Sequence, residues 1–412
     1  MPVRLDRVPP LALRPAQPGL LRWLGLLLLL LCLLVGVGGG VVFNDDPLPQ
    51  WPVDFWGLAV GVPIFGWCVL GFLRVAVYFG QQGAADGWDA AREEDLIRKI
   101  RQGRRSQQLL SVSLHTAFRS PEDQQDEQLN KLDSGTQSLK AQPTRLGEGP
   151  LRHSRLHCGA DESLNDLLLR VMTQVLSDLA QTLAQVPDDR PLALLLEIES
   201  SFSEDLLCRV WQQAWAESGI RQTTVPVEGC GLAAVDQWLD QRINDQAMLM
   251  IVALQLAPEQ TEGTAEVAVG LLLGNRLTQS TLAPIAYLHR PEQEREPTDA
   301  DLLYATRQAL DWVPLQAQAV ERVWRAGIDA QRHAAIATVL REVPMPVQLP
   351  QGVCNLDALL GQPGKTSPWL AIAAAARTVE CGAGPQFIFS GGGAATTGLW
   401  GAVLMPVSAL PI

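Results

Sequence analysis

The chain has 412 residues, of which 47% are hydrophobic and 18% charged. That is too polar for a many-span transporter and apolar for a soluble protein, so the apolar excess must be local. A net charge of −12, with bases gathered beside the apolar runs, argues against a nucleic-acid partner. Seven cysteines, an odd number with no CxxC pair, suggest neither a disulfide framework nor a zinc ribbon.

Residues 1–22 form an N-terminal segment carrying Arg4, Arg7, Arg14 and Arg22. The uncharged run at 23–43 is read as a first transmembrane helix, since about 20 apolar residues rising 1.5 Å each cross the hydrocarbon core. A loop at 44–54 has acids and no base. A second transmembrane helix is placed at 55–80, with Trp51, Trp56, Tyr78 and Phe79 near its ends and Arg74 able to snorkel outward. Arg92, Arg98, Lys99, Arg101, Arg104 and Arg105 follow. Basic flanks on the outer side of each span place both termini and the large domain in the cytoplasm of a bacterial inner-membrane protein, with the 44–54 loop periplasmic. A cleaved signal followed by one anchor is the alternative, but no A-x-A-type site follows the first run and the bases after the second oppose export. The glycines between Gly36 and Gly40 suit close helix packing in lipid.

Residues 81–150 are read as a juxtamembrane helix, a strand near 109–118 and a polar linker at 120–149. From 151 onward, helices alternate with short apolar strands. Helix Glu162–Val186 leads to strand 191–198, helix Glu204–Ser218 to strand 223–227, and helix Leu232–Arg242 to strand 247–256. Strands 265–274 and 281–289 follow as neighbours, then helices Asp299–Trp312 and Leu315–Leu340, a helix Pro368–Val379 and a closing antiparallel hairpin. Apolar runs this short imply strands buried on both faces of a mixed α/β sheet.

The segments EGCGLAAVDQWLDQRINDQAMLMIVALQL, AEVAVGLLLGNRLTQSTLAPIAYLHRP, LLGQPGKTSPWLAIAAAARTV and FIFSGGGAATTGLWGAVLMP, in that order, resemble the β-ketoacyl synthase and thiolase superfamily over roughly residues 160–407. The resemblance implies a thiolase-like layered α/β/α domain at 151–412 with mixed sheets, and a plausible homodimer. In that family a Cys thiolate at a helix N-terminus works with two His, or His and Asn. Matching Leu232-Ala233-Ala234 to the family pattern puts Glu228 at the nucleophile position, with Cys230 two residues on, and Gln362 where the second His belongs. His333, the nearest His, falls in a helical stretch. Of the two readings of Cys230, nucleophile and small buried apolar residue, the second is favoured.

The other motifs are weaker. Gly361-Gln362-Pro363-Gly364-Lys365-Thr366 ends like a phosphate loop, but Leu359 stands where its first Gly belongs. His153, His157 and Cys158 lack a second pair of metal ligands. The turn at Ser390-Gly391-Gly392-Gly393 could bind an anion through backbone N–H groups or simply need positive φ. Glu197, Glu199, Glu204 and Asp205 read as capping acids near Ser203 rather than an acid-base pair. Trp211, Trp215, Trp238, Trp312 and Trp324 read as helical core residues, or as interface residues.

Together these readings give a membrane-tethered adaptor without catalytic, cofactor-binding or metal residues. It is expected not to be an enzyme, and to take protein partners. The two spans and Trp-rich acidic domain look like accessory or lipase-adapter proteins of type VI secretion, which implies recruitment of an effector or secretion component. The alternative is a membrane-bound acyltransferase or condensing enzyme using Cys230.

Overall fold

The computed structural model describes residues 3–43, 60–119, 125–135, 138–145, 149–345, 352–392 and 398–407. The expected loop at 44–54, residues 55–59 of the expected second span, and Gly393 lie outside the described residues. The chain divides into two compact units, Arg4–Lys99 and a larger one holding Ile100–Ile412.

The smaller unit is built on helix α1 (Leu20–Phe43) and on helix α2, which begins at Val62 and runs to Gly103. Two apolar spans were expected. Among the described residues α2 alone is long and apolar enough to cross a membrane, while the apolar stretch of α1 covers Leu20–Val35. The second span and the juxtamembrane helix are one uninterrupted helix because no proline follows Pro63, and Gly80, Gly83 and Gly87 weaken a helix without ending it. The Trp23 and Trp67 rings meet edge-on at 6.1 Å. The N-terminal segment lies against α2 beyond its apolar part: Arg92 Nε donates to Pro9 O at 2.7 Å, Trp88 Nε1 to Pro10 O at 3.1 Å, and Arg14 pairs with Asp86 and Asp89.

In the larger unit the elements are β1 (Ser106–His115), α3 (Gln125–Ser134), β2 (Ala141–Gln142), β3 (Leu151–Arg152), α4 (Leu164–Leu183), β4 (Leu192–Ser200), α5 (Glu204–Ser218), β5 (Thr224–Pro226), α6 (Gly231–Gln241), β6 (Met248–Leu256), β7 (Val267–Asn275) and β8 (Ala286–His289). There follow β9 (Glu292–Gln293), α7 (Asp299–Trp312), β10 (Arg322–Ala326), α8 (His333–Glu342), β11 (Val353–Asn355), α9 (Leu356–Leu360), α10 (Ser367–Glu380), β12 (Gln386–Ser390) and β13 (Trp400–Pro406).

The main sheet runs β11-β10-β12-β13-β8-β1-β7-β6-β4-β5, with β9 beside β13. It is duplicated about its middle. In one half β4 pairs parallel with β5 and β6, β6 antiparallel with β7, and β7 antiparallel with β1. In the other, β10 pairs parallel with β11 and β12, β12 antiparallel with β13, and β13 antiparallel with β8. The halves join where β1 meets β8, Ser106 opposite His289. Helix α6, entering β6, thus corresponds to α10, entering β12.

Three sequence expectations are corrected. Leu315–Leu340 is not one helix: β10 and the short α8 occupy it. Val320, Val323, Trp324 and Ile328 are buried at a spacing compatible with a helix face, but Val323 and Trp324 belong to β10, which lies between two parallel strands. Trp324 is accordingly a strand residue, its indole donating to Gln386 at 2.9 Å. Strands β7 and β8 are not neighbours, because β1 lies between them. For the same reason the compact unit starts at Ile100 rather than 151: β1 is central in the sheet and buried along its whole length, its polar Ser, Gln and His residues included.

Helices pack on both faces. Helix α4 packs on α5, β1 and β7, and α7 packs on α8 and β13. Helix α10 packs on α6 and on strands of both halves, β1, β7, β10, β12 and β13. Leu370, Ala371, Ile372 and Ala373 to Ala376 are fully buried. A helix touched on several sides must carry small side chains, which explains the alanine run. Ala374→Leu is therefore expected to lower the unfolding free energy by about 1–3 kcal/mol in denaturant titration, and an unchanged midpoint would contradict this placement.

Two buried carboxyls make stability pH-dependent. Burial pushes Glu292 up to about 7, although Trp312 Nε1 donates to it at 2.6 Å. Burial likewise raises Asp357 to about 6, although it accepts the Gly327 and Ile328 N–H groups. A carboxyl raised on folding contributes stability that is complete below its unfolded pKa and declines as pH rises through its folded value. Wild type is expected to lose stability relative to Glu292→Gln between pH 4.5 and about 7. A difference independent of pH would show that Glu292 is not held protonated.

Candidate functional site

Strand alternation sets the site. Along β4, Ala193 and Leu195 face the α6 and α10 layer, and along β6 Leu249, Ile251 and Ala253 do the same. The next residues on that face are Glu197 and Glu199 on β4 and Gln255 on β6, with Glu199 opposite Gln255. These polar groups lie at the carboxyl end of parallel strands, where open α/β sheets bind ligands.

Glu197 is 8% exposed. Its Oε1 accepts the Gly231 N–H at 2.6 Å, the first amide of α6, and its Oε2 accepts the Trp369 indole N–H at 2.6 Å, from the first turn of α10. One carboxylate therefore joins the amino ends of the two equivalent helices, where the helix dipoles favour negative charge. Glu199 Oε2 accepts the Lys365 N–H at 3.0 Å, and Gln255 Nε2 donates to the carbonyls of Ala265 and Gln362, both at 2.9 Å. Gly364 adopts φ +53°, and a Cβ there would collide with Gln255 Oε1 and Glu199 Oε2. The Gly361–Thr366 turn is thus packed on an acid, the reverse of a phosphate cradle.

Cys230 is the N-cap of α6, extended at φ −148°, with no side-chain cap hydrogen bond. It is exposed, so the expectation of a small residue enclosed in the core is corrected: the helix begins at Gly231 and the loop before it stands in solvent. Glu228, the position matched to the family nucleophile, is also exposed and lies two residues before the N-cap. Gln362 contributes its backbone to the turn. Among the described residues no hydrogen bond joins Cys230 to a histidine or asparagine. His333 begins α8, His153 Nδ1 lies 3.0 Å from Leu151 O, and Cys158 Sγ donates to Glu162 O at 3.4 Å. No cluster of metal-binding side chains occurs among the described residues. Glu204 and Asp205 sit in the first turn of α5 behind the Ser203 cap, as expected for capping acids.

A second polar group was missed. Ser113 Oγ donates to Asp178 Oδ2 at 2.6 Å and lies 3.1 Å from His115 Nε2, and Arg119 reaches the same imidazole. The visible signal was the alternation Ser111, Ser113, His115 in β1. Asp178 and Ser113 both approach the same ring nitrogen, so the imidazole does not stand between acid and hydroxyl as a proton relay requires. Burial lowers the His115 pKa, which keeps the ring neutral. Burial raises Asp178, but hydrogen bonds from His115 and Ser113 outweigh it and hold the carboxyl below its usual range.

No family model and no curated protein sequence matches the chain. Solved structures do. The ishigamide ketosynthase/chain length factor superposes with a TM-score of 0.51 at 15% identity, over 73% of this chain and 99% of that one. The AntDE:AntF complex, a type II polyketide synthase acyl-carrier protein with its ketosynthase bound to the hexaketide, gives 0.50 at 10% identity, over 74% and 100%. Human mitochondrial 3-ketoacyl-CoA thiolase in complex with CoA gives 0.44 at 9% identity, over 74% and 99%. The ketosynthases among these neighbours are enzymes, which overturns the expectation that the chain is not one. The expected role in type VI secretion draws no support from them. Most of the chain has a thiolase-like, ketosynthase-like α/β fold built on a mixed sheet.

Proposed function

We propose that the chain is a membrane-anchored, condensing-enzyme-like acyltransferase that receives an acyl group from a thioester on Cys230. The observation that carries this reading is the place of Cys230: an exposed thiol capping the helix that enters the central strand β6, in a thiolase-like fold. In the step proposed, Cys230 Sγ attacks the thioester carbonyl carbon, a new C–S bond forms, the bond to the carrier sulfur breaks, and the carrier leaves as a thiol with the proton that Cys230 gave up. Glu197 acts as a positioning residue, fixing Gly231 and hence the mouth of α6.

In this reading α1 and α2 cross the inner membrane as a hairpin, with both termini and the enzyme on the cytoplasmic side. The hydrogen bonds from Trp88 and Arg92 to Pro10 and Pro9 support it, since they hold the two outer ends of such a hairpin together. A homodimer through the exposed edge strand β5 follows from the same reading.

Incubation of the intact chain in detergent with an octanoyl thioester of N-acetylcysteamine, followed by mass spectrometry, is expected to show one octanoyl adduct that Cys230→Ser abolishes and Cys158→Ser retains. No adduct on the wild type, or an adduct that survives Cys230→Ser, would overturn the assignment. Glu197→Ala leaves two donors without their acceptor and is expected to cost about 2–4 kcal/mol of stability, read by chemical denaturation. An unchanged unfolding midpoint would remove its positioning role.

A further inference from the structure

The last turn of α2, from Ile100 to Gly103, belongs to the larger unit and is seated in it from two sides. On one side lies the carboxyl end of α6. Gln102 Nε2 donates to Asp240 Oδ1 at 2.7 Å, and Arg105 Nη1, just beyond α2, donates to Leu239 O at 2.8 Å and Asp240 O at 3.3 Å. These carbonyls lie in the last turn of α6, where a cation is a suitable cap. Asp240 also pairs with Arg290, which is fully buried and lies 3.0 Å from Asp236 on the same helix.

On the other side is Trp312, the last residue of α7. Its ring lies so close to Gly103 that a Cβ there would collide with it, and glycine is what admits the indole. The buried indole donates in turn to Glu292 on β9, so Gly103, Trp312 and Glu292 form one stack. The charged groups facing Glu292 are Asp236 from α6, which opposes its ionisation, and Arg290 and Arg295 beside it, which favour it. From α7 it meets the neutral Trp312 indole. Burial outweighs the indole and both arginines and pushes the carboxyl up to about 7.

We propose that Trp312 and Glu292 form a pH-sensitive latch on the last turn of α2, holding it seated in acid and letting it open as the pH rises to neutral. When that turn leaves, Trp312 loses the backbone it rests against, and Glu292 gains access to water, where it ionises as an ordinary glutamate does. The seated state keeps the proton up to about pH 7, whereas the open state gives it up above about 4.5. Opening therefore releases a proton between these values and is favoured about tenfold for each pH unit, levelling off above the upper one. Asp240 belongs to one half of the duplicated sheet and Glu292 to the other, so the latch joins both halves to α2. Neither Glu292 nor Trp312 takes part in the acyltransferase reading, so the two stand or fall separately.

The test is hydrogen exchange read by mass spectrometry on the full chain in neutral detergent micelles, from about pH 5 to about pH 8, after correction for the intrinsic exchange rate. In the wild type, protection of the amides of Gln102 to Ser106 is expected to fall about tenfold per pH unit up to about pH 7 and then to level off, while Leu370 to Ala376 of α10 stay protected. Glu292→Gln, neutral at every pH, is expected to keep the protection and remove the slope. Gly103→Ala, whose methyl group would displace the ring, is expected to abolish the protection of these amides at every pH. Circular dichroism checks that each variant is folded, and the wild-type profile decides alone where one is not. A flat wild-type profile, a slope that survives in Glu292→Gln, full protection in Gly103→Ala, or opening of Gln102 to Ser106 only together with α10 would each overturn the proposal.

Discussion

The Glu197 carboxylate, shared between the Gly231 amide and the Trp369 indole, is the interaction on which the centre of the molecule depends. A charged group with 8% exposure is tolerable only if its lone pairs are taken, and here two short hydrogen bonds and two helix amino ends take them. Because one donor belongs to α6 and the other to α10, the carboxylate fixes the two halves of the duplicated sheet against each other. Removing it would leave the Gly231 amide and the Trp369 indole without their acceptor.

The same contact explains why Cys230 stands where it does. Gly231, at φ +53°, donates its N–H to Glu197, while the preceding Cys230 is extended and exposed and its Sγ caps nothing. The Gly361–Thr366 turn closes the other side through Glu199 and Gln255, both on the strand face that carries Glu197. The site is therefore a product of alternation at the ends of β4 and β6, not of a contiguous motif.

What the sequence revealed follows from the strength of each local signal. Strands β6 and β7 are continuous apolar runs and were read as such, and the hairpin of β12 and β13 was found with its antiparallel sense. Strand β10 was not: five residues, RVWRA, embedded between helix-compatible spacings, gave no length signal, and Gly327 alone marked its end. With β10 read as helix, and β1 set apart as part of a linker region, the duplication was invisible, since each half lacked a strand. Cys230 was legible as a residue but not in its exposure, because a one-residue difference between N-cap and first turn cannot be read from the pattern LAAVDQW. Glu197 was seen as an ordinary strand-end acid; its partners lie 34 and 172 residues away in sequence.

The most direct measurement of the central contact is native-state hydrogen exchange on the intact chain. If Glu197 locks α6 to α10, the Gly231 amide should exchange as slowly as those of Leu370 to Ala376, with all of them opening only in global unfolding. Rapid exchange at Gly231, at the rate of a frayed first turn while α10 stays protected, would contradict the account.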